Sequence, residues 1–109
     1  MQQSEYHEKI KKHLHSAYLL SDDKIENVLP RFIASLQTLM DNLERVFQTE
    51  EGDSLSKAGH ALKGALLNLG LNELAEKAFT IEKQGHDLGE KTEIAALISE
   101  LRKEVNSIE

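Results

Sequence analysis

The chain has no cysteine and no tryptophan, one proline, and an aromatic complement of two Tyr and three Phe. Without thiols it can hold neither a disulfide framework nor a thiolate metal site, and cysteine usage gives no sign of the redox compartment. No apolar run approaches the roughly 20 residues that span a bilayer. The opening segment MQQSEYHEKIKK lacks the apolar stretch of a secretory signal. A cytoplasmic protein with no membrane partner is therefore expected. Positive charge is also short: 13 Lys and Arg stand against 19 Asp and Glu, a net charge of −6. That balance argues against nucleic acid, whose binding rests on neutralising phosphates. Strand-like alternation, internal repeats and low-complexity tracts are absent as well.

Helical periodicity remains. Residues 4–18 place Tyr6, Ile10, Leu14 and Ala17 on one stripe. Ser21-Asp22-Asp23 offers an N-cap. A long amphipathic stretch then runs to about Thr49, through Ile25, Val28, Leu29, Phe32, Ile33, Leu36, Leu39, Met40, Leu43, Val46 and Phe47. Pro30 inside it predicts a kink, or one helix ending and another starting there. Asp53 or Ser54 is expected to cap the next helix, which carries Ala58, Leu62, Ala65, Leu66 and Leu69 inward and stops at Gly70. Asn72 is expected to cap a fourth segment bearing Leu74, Ala75, Ala78, Phe79 and Ile81, with a loop from Gly85 to Gly89. Ile94, Leu97, Ile98, Leu101, Val105 and Ile108 form the stripe of the last helix. A single all-α domain over 1–109 follows. It is expected to be an antiparallel up-down-up-down four-helix bundle (about 22–108) with an additional N-terminal helix (about 4–18).

One helix carries residues that a core does not ask for. Gly59 and Gly64 lie in its interior, where each glycine costs roughly 1 kcal/mol relative to alanine. At helical spacing His60, Lys63, Gly64 and Leu67 share one face, opposite Leu62, Ala65, Leu66 and Leu69. A gap on an exposed face does nothing for packing, but it lets another molecule approach the imidazole. Alone, His60 would be an incidental surface histidine and Lys63 a solubilising lysine. Their juxtaposition with Gly64 is what points to chemistry.

The string Gly59-His60-Ala61-Leu62-Lys63-Gly64, followed by Asn68-Leu69-Gly70 and Asn72-Glu73-Leu74, resembles the signature of the histidine phosphotransfer (HPt) family. Phe32 resembles the aromatic commonly found in the preceding helix, and the resemblance extends from about Asp22 to Ile108. It implies a four-helix bundle that displays a phosphorylatable histidine and exchanges phosphoryl groups with receiver-domain aspartates in a multistep two-component phosphorelay. Carried over, His60 is the phospho-acceptor, Lys63 the neighbouring cation that stabilises the phosphoryl group, and Gly64 the position of close approach. Some members have a Gln or Glu at the place of Glu82 that hydrogen-bonds the imidazole, so Glu82 is expected to orient His60. Leu67 departs from the small residue usual there; it is expected to lie on the receiver-docking face and to restrict partner range. Leu66, also larger than usual, is expected to point inward.

Imidazole is partly neutral and basic near physiological pH and can act as a nucleophile. If Glu82 accepts a hydrogen bond from Nδ1–H, Nε2 is left to attack. Barrier lowering would come mostly from a partner whose acidic pocket and Mg²⁺ hold the phosphoryl in line; no cofactor of the chain's own is expected. The chain is thus read as a carrier without an ATP-binding or catalytic domain, a monomer whose partners are response-regulator receivers and possibly a hybrid histidine kinase. The initial Met and N-terminal helix favour a free-standing protein over a domain excised from such a kinase. A phosphorylation-independent adaptor is the alternative of another class. His13 and His15 point to nearly opposite sides of a helix, and His7 and His86 have no evident partner, so no metal site is expected. Asp22-Asp23 and Glu50-Glu51-Gly52-Asp53 lack the spacing of a Ca²⁺ loop.

Overall fold

The computed structural model describes residues 3–85 and 91–108. They form five helices: α1 (Gln3–Tyr18), α2 (Asp22–Gln48), α3 (Gly52–Asn68), α4 (Asn72–Gly85) and α5 (Lys91–Ile108). No strand occurs among the described residues. His86 and the rest of the expected loop up to Gly89 lie outside them. No described helix is long and apolar enough to cross a membrane.

α2 sets the long dimension of the molecule, since 27 residues at 1.5 Å each extend about 40 Å. It begins at the expected cap, where the Ser21 hydroxyl accepts a hydrogen bond from Lys24 N at 3.3 Å. It does not end at Pro30: the helix is continuous through it. Pro30 is exposed, so water can satisfy the carbonyl it leaves unpaired. Ile25, Leu29 and Leu36, all buried, anchor the chain on both sides of it.

The remaining helix ends correct the expectations in three places. α3 starts at Gly52 with Glu51 in the cap position and no side-chain cap, so Asp53 and Ser54 lie within the first turn. There the Asp53 carboxylate favours the helix dipole. Asn72 is the first residue of α4, and the carbonyl of Leu71 receives the Ala75 amide at 3.0 Å. Gly85 closes α4 instead of opening the loop; it is buried against Leu55 and Ser56. The end of α3 is as expected. Gly70 adopts a left-handed φ of +75° while Leu71 N returns to Leu66 O at 3.0 Å, satisfying a terminal carbonyl.

α2 packs on α3 and α5, and α4 packs on the same two helices, so these four close around one core. Leu36, Met40, Leu62, Leu66, Ile81 and Leu101 are fully buried there. α1 lies against α2 and α5. The Tyr6 hydroxyl donates to Glu104, and His7 Nε2 pairs with the Ile108 carbonyl at 2.8 Å. Two positions read as inward face out: Ala17 is exposed, and Phe79 is 37% exposed. Ala65 is only partly buried. Ala17 lies in the last turn of α1, beyond the buried Tyr6, Ile10 and Leu14, and Phe79 is held at the surface by cations described below.

Candidate functional site

The second turn of α3 lies against α4 along backbones that nearly touch. Gly59 is buried, and a Cβ built on it would stand 2.9 Å from Glu82 N. The Ser56 hydroxyl, one turn earlier, donates to the Glu82 carbonyl at 2.8 Å. These contacts bring the Glu82 side chain up beside the exposed face of α3. There His60, 67% exposed at its side chain, turns Nδ1 to Glu82 Oε2 at 3.1 Å.

The same carboxylate holds a second base. Its Oε1 is shut off from solvent and lies 2.9 Å from Lys63 Nζ. The Lys63 ammonium foremost, and His60 to a lesser degree, hold the Glu82 carboxyl below the usual carboxylate range; partial burial opposes them and loses. Glu82 is therefore anionic at neutral pH. Phe79, one turn earlier on α4, lies between two cations, with Lys63 Nζ at 4.7 Å and Lys83 Nζ at 4.5 Å from its ring centroid. Lys63 is thus fixed from two sides and points at Glu82, not freely into solvent.

Beyond His60 the surface opens. A Cβ on Gly64 would meet nothing within 4 Å. Leu67, one further turn along, is 45% exposed and borders a shallow groove with Ala75 and Phe79. An imidazole with one nitrogen on a carboxylate and the other free on an unobstructed face can act as a nucleophile toward a group brought to it.

The Hpt domain family matches residues 27–109. The chain belongs to that family. Hpt domains are the histidine phosphotransfer modules of phosphorelays: phosphocarriers, not catalysts, that work with receiver domains and histidine kinases. Comparison with curated proteins and with solved structures gave no match.

Within this Hpt domain His60, Lys63, Gly64 and Glu82 converge on one patch, with Leu67 at its edge. Leu66, in contrast, is fully buried, and Phe32 is half-buried on α2. The other described histidines lie elsewhere. His13 packs over Gly70, and His15 Nε2 pairs with Asp22 Oδ1 at 2.6 Å, so His7 and His15 both have partners that the sequence did not disclose. No cluster of three metal-binding side chains occurs among the described residues.

Three participants escaped the sequence reading. Gly59 was visible as a costly helix glycine, but its use depends on which helix it faces. Ser56 looked like any helix serine. Phe79 falls among the apolar residues of the fourth helix, and the lysines on either side of its ring, Lys63 and Lys83, account for its place at the surface.

Proposed function

We propose that the chain accepts and donates a phosphoryl group on His60 Nε2, relaying it between receiver-domain aspartates. The observation that supports this best is the contact of His60 Nδ1 with the anionic Glu82. Glu82 accepts the Nδ1–H hydrogen bond and thereby fixes the tautomer whose Nε2 lone pair faces outward. That lone pair attacks the phosphorus of a phospho-aspartate; the P–N bond forms as the P–O bond to the aspartate breaks, and the aspartate leaves as a carboxylate. The ring keeps its Nδ1 proton and takes on positive charge, which Glu82 offsets. In the return step a receiver carboxylate attacks phosphorus and Nε2 leaves with its lone pair.

Lys63 stabilises the phosphoryl oxygens by turning its ammonium from Glu82 toward them. Gly64 admits the partner, and Leu67 docks it, its bulk narrowing the range of receivers that fit. The Mg²⁺ that organises transfer belongs to the receiver; the carrier supplies a positioned nucleophile and needs no cofactor. The reading further takes residues 1–109 as one cytoplasmic, monomeric domain. Short connections between consecutive helices make α2 to α5 an up-down-up-down bundle with α1 added at one side.

Incubation with phosphorylated receivers of the source organism and Mg²⁺ tests the proposal. Acid-labile, base-stable label should appear on the chain and be lost in His60→Gln. Absence of label with every receiver, or its persistence in that variant, rejects the relay and leaves a phosphorylation-independent adaptor.

A further inference from the structure

The seat beneath Glu82 is more constrained than the side chain above it. A Cβ on Gly59 would lie 2.9 Å from Glu82 N, 3.1 Å from Ala78 O and 3.2 Å from Glu82 Cα. All three are backbone atoms, so none can rotate away. The Ser56 hydroxyl takes the carbonyl of the same residue at 2.8 Å. One turn on, Gly85 returns the close approach: a Cβ there would stand 3.2 Å from Ser56 N. Residue 82 is thus held at both ends of its own backbone unit, from the amide side by the gap at Gly59 and from the carbonyl side by Ser56.

Glycine is a poorer helix former than alanine, and Gly59 points away from the surface that a partner would touch. Its use must lie inside the molecule, and the nearest atoms belong to Glu82. We propose that Gly59 and Ser56 are positioning residues for His60: they set the spacing of α3 and α4 at residue 82, and that spacing holds the Glu82 carboxylate on Nδ1. This rests on the reading of Glu82 as the group that orients the ring. An added methyl at residue 59 must push α4 outward, because interhelical contacts between backbones have no rotamer to relax into. Glu82 would then leave the 3.1 Å contact, and the imidazole would revert to the tautomer mixture of a solvated histidine.

The test is ¹⁵N NMR of the imidazole in the full chain labelled at histidine, alongside transfer from a phosphorylated receiver. In the wild type His60 should be mainly the Nδ1–H tautomer. Gly59→Ala and Ser56→Ala should move it toward the mixture seen in Glu82→Ala and slow transfer about tenfold, in keeping with the cost of sub-ångström misplacement. Ser56→Thr, which keeps the hydroxyl, should restore both. If Gly59→Ala fails to fold by circular dichroism, the Ser56→Ala and Ser56→Thr pair decides alone. A Glu82→Ala variant that loses the tautomer while Gly59→Ala and Ser56→Ala keep it overturns this inference and spares the role of Glu82. A Glu82→Ala variant that keeps the tautomer overturns both.

Discussion

Two charge clusters face different sides of the bundle, and they are built in opposite senses. Between α3 and α4 one carboxylate, Glu82, is shared by two bases, His60 and Lys63. Between α2 and α5 one base, Arg102, is shared by Glu44, Asp41 and the amide of Gln37. All three guanidinium nitrogens are engaged: Nε and Nη2 grip Glu44 in the two-pronged geometry typical of Arg with a carboxylate, and its pKa is driven further up, chiefly by Glu44. No nitrogen is left without a partner. In the other cluster the carboxylate is the shared partner, and one of its bases keeps a second nitrogen on an exposed ring. A closed cluster joins helices; an open one presents a group.

That contrast can be broken from either side. The largest effect should come from filling the space that keeps the site open. Gly64→Gln is expected to reduce phosphotransfer by about 100-fold or more, the scale at which misplaced reactants lose rate, while the helix is stabilised or unchanged in thermal unfolding. A normal transfer rate would mean that the partner does not approach over Gly64.

Next in size, Glu82→Ala should slow transfer by about tenfold, toward the lower end of what a positioned acid or base contributes. The pH dependence has a definite sign. The folded-state pKa of Glu82 is lowered, so its contribution is complete above the ordinary glutamate value of about 4.3 and is lost as pH falls through the lower folded value. The Glu82 carboxyl should therefore stay ionised from about pH 5 to pH 8, well above that ordinary range, and ¹³C NMR of that carboxyl should show no titration there. A Glu82 carboxyl resonance that titrates within this interval would contradict its anionic state.

Arg102→Ala should do the reverse. Losing charge-assisted hydrogen bonds from a side chain that is 23% exposed should lower stability by about 1–2 kcal/mol, after allowance for solvent screening. Transfer at a temperature where the variant remains folded should be unchanged. Urea unfolding and the transfer assay together separate the two clusters. The smallest effect is expected at the α1–α2 corner, which belongs to neither cluster. Leu19 is 87% exposed and sits at φ 56°, where a side chain clashes with its own backbone. Leu19→Gly should raise stability by about 0.5–1 kcal/mol and leave transfer untouched.

The difference between the clusters also marks how far the sequence could be read. Periodicity located all five helices, because one buried stripe per helix suffices for that. The Gly70 stop and the Ser21 cap were legible as local chemistry. His60, Lys63 and Gly64 could be grouped because they share one helix face. Glu82 was reachable through family resemblance, twenty-two residues away in sequence and on another helix. What a single chain pattern does not carry is the approach of one helix to the next. Gly59 and Gly64 are the same residue with the same helical cost, yet one faces the α4 backbone and the other faces open space. Lys63 read as a free cation for phosphate; only the packed structure shows it paired with Glu82 and resting on Phe79. Pro30 failed as a helix break because tertiary burial on both sides outweighs one missing hydrogen bond.

The central claim is that Glu82 occupies one nitrogen of His60 so that the other carries the phosphoryl group. NMR of the phosphorylated chain, with ³¹P and ¹⁵N-labelled histidine, reads the linkage directly. Phosphorus coupled to His60 Nε2 is the predicted result. Phosphorus on Nδ1, or on any residue other than His60, would contradict it.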